Sequence, residues 1–330
     1  METLKPKKLK TGDIVGVISP SLPVFWKKNL TRGMKNLESL GFKPKLGAKA
    51  LEVHGGYQAG TKDDRLSDFH AMFLDDEVEA IFCAGGGYSC IQMLQGIDWD
   101  LIEKHPKIFI GYSDISTLLN PINKKTGLIT FHGPTVEGGL SSDLGMPLSK
   151  GKKFMIKSMK NALMKGEKGS LPSFTEWKVL RQGRAEGQLV GGNLDVLTSL
   201  LGSPYEPEWD GKILFWEDTG LTIEDLDNFL WRLRISKVFK KIEGMIVGRI
   251  TELNSIDDET EGWANLDKAP LIEDVILQAT EGYNFPILYG ADFGHNVPLM
   301  TLPIGAKALL DCPKLGRVGK ISILEKYLSD

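Results

Sequence analysis

The chain has 330 residues, 40 basic and 43 acidic, giving a formal net charge of −3, with 42% hydrophobic and 25% charged residues. That is the length of about two domains and an ordinary globular composition, which excludes a disordered chain. The near-neutral balance lacks the basic footprint of a nucleic-acid binder. No run approaches the roughly 18 apolar residues of a membrane span. Thr11, Gly12 and Asp13 follow the early lysines where a signal peptide would carry its apolar stretch, so a cytoplasmic protein is expected.

Taken in order, the first half alternates strand and helix patterns. Asp13 to Ser19 is a short apolar run ending at Pro20, and Leu30, Met34, Leu37 and Leu40 recur at helical spacing before Gly41. Phe42 to Leu46 reads as a second strand. Thr61 is placed to cap a helix carrying Leu66, Phe69 and Phe73. Val78 to Cys83 is a strand, followed by the glycine turn Gly85-Gly86-Gly87 and a short helix through Leu94. Lys107 to Tyr112 is a strand, and a helix runs from Asp114 to about Asn123. This rhythm implies parallel strands joined by crossovers, a doubly wound α/β sheet. Gly138 to Gly187 reads as a connection carrying one lysine-rich helix, Lys152 to Lys165. Beyond it, Gly191-Gly192-Asn193 opens an apolar helix, and Lys212 to Trp216 is a strand ending in Glu217 and Asp218. Thr222 caps a helix faced by Ile223, Leu226, Leu230 and Leu233, and Gly244 to Ile250 and Ala306 to Asp311 are further strands.

Ser113 carries the strongest chemical signal. In Ile110-Gly111-Tyr112-Ser113-Asp114 a strand runs into a helix, so the serine occupies the sharp turn of a nucleophile elbow, where new helix N–H groups face a developing oxyanion. The second glycine of the GxSxG pattern is replaced by Ile115, and a plain helix N-cap is the competing reading. The glycine turn after Ala84 would lie on the same carboxyl edge of the sheet, where ligands bind; a tight turn with no further role is its simpler explanation. A serine nucleophile needs a base and an orienting carboxylate. His295, in Asp292-Phe293-Gly294-His295-Asn296, sits in a displayed loop, and His132, in Phe131-His132-Gly133, rivals it. Glu217 and its neighbour Asp218 are the carboxylates at a strand end, although such groups are commonly just solvated. Cys90, following the glycine turn at a helix start, is an alternative nucleophile without a histidine assigned to it. The cysteines Cys83, Cys90 and Cys312 form no disulfide or zinc pattern, and the five histidines show no metal spacing, so no metal is expected; neither GxGxxG nor a P-loop pattern is present, so no organic cofactor is expected.

These motifs, in order, resemble the LD-carboxypeptidase family of serine peptidases (peptidase family S66), which includes the microcin C immunity peptidases. The resemblance runs over nearly the whole chain: DIVGVISPS, the glycine turn after IFCA, IGYSDIS, LVGGNLDVLTSLLGSPYEP, GKILFWEDT, LRISKVF with GMIVGR, and DFGHNVPLMTLPIGA. It implies a nucleophile at Ser113, a carboxylate at Glu217 and a histidine at His295. The oxyanion donors it implies are the N–H groups of Asp114 and of the glycine turn, placed at Gly86 with Gly87 as the alternative, and Gly87 is also assigned to substrate binding. It also implies a homodimer. Many members carry an Arg-Gly-Gly-Tyr-Gly turn where this chain has Gly85-Gly86-Gly87-Tyr88-Ser89. That departure, extra sequence around Glu176-Trp177 and an insertion at Thr251 to Ile272 resemble the immunity branch, with Trp177 the aromatic that would stack on a nucleobase.

The expected architecture is a flavodoxin-like doubly wound domain (1–137), a linker with a helix and a substrate loop (138–186), and a smaller α+β domain (187–330). The expected activity is amide hydrolysis on a small peptide or peptidyl-nucleotide substrate, with no nucleic-acid or membrane partner. Microcin-immunity-type cleavage of aminoacyl or peptidyl nucleotide analogues is set first, and removal of the terminal D-alanine from murein tetrapeptide second. A non-catalytic two-domain ligand-binding protein is the reading from another class.

Overall fold

The computed structural model describes residues 2–141, 149–253, 270–296, 298–314 and 317–330. Five parallel strands form the first sheet: β1 (Ile14–Ile18), β2 (Lys43–Leu46), β3 (Val78–Cys83), β4 (Ile108–Gly111) and β5 (Thr130–His132). Their spatial order β2-β1-β3-β4-β5 reverses direction between β1 and β3, the switch point at which open α/β sheets hold ligands. The crossovers carry α1 (Lys27–Ser39), α2 (Lys62–Leu74), α3 (Trp99–Lys104) and α4 (Ser116–Thr126). Thr61 caps α2 through a reciprocal box with Asp64, and Gly127, at φ 74°, ends α4 in the left-handed conformation that suits glycine. This is the doubly wound sheet that the sequence rhythm implies.

After α5 (Lys150–Met164), a second, mixed sheet follows. Its strands are β6 (Gly169–Ser170), β7 (Lys178–Arg181), β8 (Gly183–Asn193), β9 (Lys212–Thr219), β10 (Gly244–Thr251) and β11 (Ile287–Tyr289). After β12 (Leu302–Ile304), it is completed by β13 (Lys307–Cys312) and β14 (Lys320–Ile323). The order is β6-β14-β13-β8-β9-β10-β11-β7, with β8 to β11 parallel and the outer strands antiparallel. Helices α6 (Leu194–Ser199), α7 (Ile223–Ile235) and α8 (Ile272–Ala279) cover one face of it. The expected boundaries do not coincide with sheet membership. β6, β7 and the start of β8 fall in the stretch expected to be a linker, yet they belong to the second sheet. β12, expected in the second domain, pairs antiparallel with β5 (Leu302 beside His132). Short strands with little alternation, such as Gly169–Ser170, give no period from which to recognise them. Most of the 251–272 insertion (254–269) lies outside the described residues.

The two faces of β9 decide where the site falls. Successive strand residues point to opposite faces. Ile213 and Phe215 join the core that also holds Ile110 and Phe131 of the first sheet, whereas Leu214 and Trp216 pack against Leu226 and Leu230 of α7. Burying each such side chain contributes on the order of 1.5–3 kcal/mol, so this register is firmly set. Glu217 therefore continues the face turned toward the first domain, and Asp218 the face turned toward the helices. The strand does not end at Trp216 as its apolar run suggests: it continues through Glu217 and Asp218 to Thr219. Among the described residues no helix is long and apolar enough to cross a membrane.

Candidate active site

β4 delivers Ser113. A Cβ at Gly111 would lie 2.8 Å from Ile115 Cγ2, so glycine is needed where the strand folds back into the following 3-10 turn, Ser113–Ile115. Ser113 itself has φ 63°, a left-handed conformation that costs a non-glycine residue about 1–3 kcal/mol and lifts its hydroxyl clear of the turn. The helix N-cap reading gives way here, because Tyr112 holds the cap position of this turn, Ile115 that of the helix after it, and Ser113 lies inside the turn. The glycine turn runs alongside: a Cβ on Gly86 would stand 2.9 Å from Ser113 Cβ, 3.0 Å from Oγ and 3.7 Å from the Asp114 amide nitrogen. Among the described residues no acceptor is found for the N–H of Gly86 or of Asp114.

The second domain supplies the other groups. Glu217 is fully buried (0% exposed), and its Oε2 lies 2.7 Å from His295 Nδ1. A carboxylate only accepts, so Nδ1 donates and Nε2 keeps its lone pair. Burial pushes the His295 pKa down, but the hydrogen bond and charge of Glu217 outweigh it, and the net shift is upward. The Tyr112 ring stands edge-on to His295 at 5.0 Å, its own hydroxyl pushed up to about 12 mainly by burial. His295 is 18% exposed, so it is half-packed rather than freely displayed. Ser113 and His295 line one cleft of about 490 Å³, together with Gly86, Gly87, Tyr88, Tyr112, Asp114, Asn193, Asp195 and Asp218. No Ser113–His295 hydrogen bond is formed among the described residues; such bonds often tighten only when substrate closes the site.

The histidine loop is held by a residue that sequence reasoning passed over. Asp292 is fully buried and accepts from the Phe174 and Thr175 amides (2.6 and 3.1 Å), Thr175 Oγ1 (2.7 Å), Trp177 Nε1 (2.9 Å) and Arg249 Nη2 (3.0 Å). Burial raises its pKa, yet these bonds outweigh that effect and hold it below the usual carboxylate range. The Arg249 amide also donates to Phe293 O, so β10 grips the loop one residue before Gly294. Trp177 is consequently not a ring offered to a ligand. It is 3% exposed, it packs in the main core, and it is absent from the cleft lining, which corrects the expectation of a stacking platform. Its indole N–H found a buried acceptor far along the chain, a partner no local pattern reveals.

The other candidates fall away on burial. His132 is fully buried between Tyr112, Phe215 and Phe293, neither ring nitrogen has a partner among the described residues, and burial pushes its pKa down to about 4. Cys90 is fully buried, which raises its thiol pKa and leaves it the unreactive neutral form. Asp218, pushed up to about 6 mainly by burial, accepts from Asn193 Nδ2 (2.9 Å) and the Asp195 amide (3.0 Å), and thereby ties β8, β9 and α6 together behind Glu217. The Asn193 amide donates in turn to Ser116 Oγ (3.1 Å) just beyond the nucleophile turn. A side chain at Gly192 would collide with that hydroxyl. The GGN motif is thus where the second domain docks on the helix that starts behind Ser113. Among the described residues no group of acids, histidines and cysteines could hold a metal ion.

A parallel-sheet domain with a serine on a strained elbow, joined to a domain bearing a histidine–carboxylate pair, is the architecture of a serine hydrolase. Residues 15–133 match the LD-carboxypeptidase N-terminal domain and residues 186–310 its C-terminal domain. The chain is 40% identical to a probable murein peptide carboxypeptidase of Bacillus subtilis strain 168, over 99% of this chain and 96% of that protein. It is 32% identical to the microcin C7 self-immunity protein MccF of Escherichia coli, over 97% and 96%. The solved structure of MccF in complex with glutamyl sulfamoyl guanosine superposes with a TM-score of 0.86 at 28% identity, covering 99% of this chain and all of that one. The chain belongs to the LD-carboxypeptidase family, peptidase family S66, and is a serine-type peptidase.

Proposed function

We propose that Ser113, His295 and Glu217 form a catalytic triad that hydrolyses an amide bond by acyl transfer. The observation that carries this is the 2.7 Å bond from His295 Nδ1 to buried Glu217, in a cleft shared with Ser113 on its left-handed turn. His295 Nε2 takes the Ser113 hydroxyl proton as Oγ bonds to the substrate carbonyl carbon. Glu217 holds the imidazole in the required tautomer and stabilises the imidazolium. The N–H groups of Gly86 and Asp114, adjacent to Ser113 and without an acceptor among the described residues, stabilise the oxyanion, each worth about 3 kcal/mol. His295 then protonates the leaving amine, and a water deprotonated by the same imidazole releases the acyl group.

For the substrate, the 40% identity over nearly the full chain supports a murein peptide, from which the enzyme removes a C-terminal residue. A second reading, aminoacyl or peptidyl nucleotide analogues, draws on the cleft itself. Its described lining carries Asp114, Asp195 and Asp218 and no lysine or arginine to receive a terminal carboxylate. It draws also on the likeness to MccF, solved with glutamyl sulfamoyl guanosine and aspartyl sulfamoyl adenosine. A homodimeric assembly rests on the family resemblance alone. One competition assay separates the readings: wild type and Ser113→Ala each meet a murein tetrapeptide and aspartyl sulfamoyl adenosine, with products read by mass spectrometry. Free D-alanine from wild type alone establishes the first reading; free aspartate alone establishes the second. Equal turnover by Ser113→Ala overturns the serine mechanism, and unaltered ligand binding without turnover by wild type points to a binding protein.

A further inference from the structure

Two buried charges lie close to the nucleophile without an ion pair. Arg65 of α2 is 2% exposed, and its guanidinium donates to Pro20 O (3.2 Å), Ser89 O (2.9 Å), Ser89 Oγ (2.8 Å) and Gln92 Oε1 (2.6 Å). Asp114, 5% exposed, accepts from Ser21 Oγ (2.5 Å), the Cys90 amide (2.9 Å) and Thr117 Oγ1 (3.2 Å). Among the described residues neither forms a salt bridge. Leaving single charges buried is expensive unless something links or satisfies them. Two serines make the link: the Ser89 amide donates to Ser21 Oγ (3.2 Å), and Ser21 Oγ donates to Asp114. The chain Arg65–Ser89–Ser21–Asp114 therefore joins opposite charges through hydrogen bonds.

Its course encloses the glycine turn. Ser21 follows β1, Ser89 follows the turn after β3, and Asp114 follows β4, so the chain ties together the carboxyl ends of the three strands at the switch point. The Leu22 amide donates to Gly86 O (3.1 Å), fixing from the Ser21 side the Gly86–Gly87 peptide that adjoins the one carrying the Gly86 N–H, and a Cβ on Gly87 would collide with Ser21 Oγ. Gly86 and Asp114 come from different strands, and nothing in their own backbones fixes the gap between their N–H groups. An oxyanion hole works only when both donors fall about 2.7–3.1 Å from one oxygen. We infer that Ser21, Arg65 and the Asp114 carboxylate are positioning residues that hold the Gly86 and Asp114 amides in register for one oxyanion. This inference rests on the acyl-transfer reading above.

The test uses Ser21→Ala, which removes the central hydroxyl without changing charge or volume much; Arg65→Lys, which keeps the charge but not the fork, is the second variant. Each is compared with wild type in affinity for an aldehyde that ends at the acyl residue of whichever substrate the competition assay selects, which forms a tetrahedral adduct with a serine, and for the corresponding alcohol, which cannot. The expected result for Ser21→Ala is an aldehyde-to-alcohol affinity ratio about tenfold below wild type. Alcohol binding should stay within twofold, and kcat should fall in parallel while KM holds. Arg65→Lys is expected to lower the same ratio. A wild-type ratio retained in both variants, or equal weakening of both ligands, overturns the inference and leaves the triad standing. A wild type that forms no aldehyde adduct overturns the Ser113 mechanism and this inference with it.

Discussion

The two halves of the candidate site are built by different means. The nucleophile half is local: a strand, a glycine, one strained residue and the first turn of a helix lie within Ile108 to Ser116, and the strain at Ser113 is the price of presenting its hydroxyl. The histidine half is assembled at long range. Glu217 depends on the register of β9, and His295 depends on Asp292, which gathers donors from residues 174 to 177 and from Arg249. A local device tolerates distant change and fails only when its own residues change. A long-range device fails by degrees as any supporting contact is lost.

That contrast can be broken in order of expected size. Ser113→Ala should lower turnover by about 10⁵-fold or more while the melting temperature stays near wild type, since only the hydroxyl is lost from a turn that folds without it. A large drop in melting temperature would show that the elbow is not local. Glu217→Gln should cost about 10³–10⁴-fold in kcat by unsettling the His295 tautomer. It should also move the pH profile. His295 must be neutral to accept the serine proton, so activity rises with pH through its pKa, which Glu217 holds above 6.5. The acid limb of kcat/KM is therefore expected above pH 6.5 in wild type and at lower pH in Glu217→Gln. An unchanged limb would mean that Glu217 does not set the charge of His295. Asp292→Asn should act more weakly on chemistry, about tenfold in kcat, yet more strongly on the fold. It leaves Arg249 without its buried counter-charge and turns an amide toward donors, a change costing about 3 kcal/mol in thermal or urea unfolding. Full kcat in Asp292→Asn would show that the histidine loop holds itself.

The same contrast explains what was legible beforehand. The β4 elbow, the glycine turn and both threonine helix caps are short-range patterns whose physics is written within a few residues, and the structure shows each where expected. The pairing of Glu217 with His295 spans 78 positions; the residue pattern offers it beside His132 and Asp218, and only the family resemblance selects it. Asp292 stood three residues from His295 in the quoted motif without any signal, because a buried acceptor is recognised by its donors and these lie 43 to 118 positions away. Ser21 was equally silent: its contacts with Ser89 and Asp114 arise at the switch point between β1 and β3, a property of strand order. Membership of β12 in the first sheet was hidden for the same reason, since three residues have no period to read.

Trp177 gives the finest test, because a stacking platform and a buried strut make opposite predictions for one substitution. Trp177→Phe keeps an aromatic face but deletes the N–H that reaches Asp292 and some ring volume. If the ring touched substrate, the loss of stacking area would raise KM and leave stability nearly unchanged. From its burial, the reverse is expected. Asp292 keeps its other four donors, so its charge stays satisfied and the histidine loop stays in place. The lost hydrogen bond and the small void cost about 1–2 kcal/mol of stability. KM for a murein tetrapeptide or aspartyl sulfamoyl adenosine should move by less than about twofold, the scatter expected when a substitution lies away from the ligand. A rise in KM for the nucleotide analogue alone would mean that the segment carrying Trp177 leaves Asp292 when substrate arrives. The bond between them would then be a latch on the cleft.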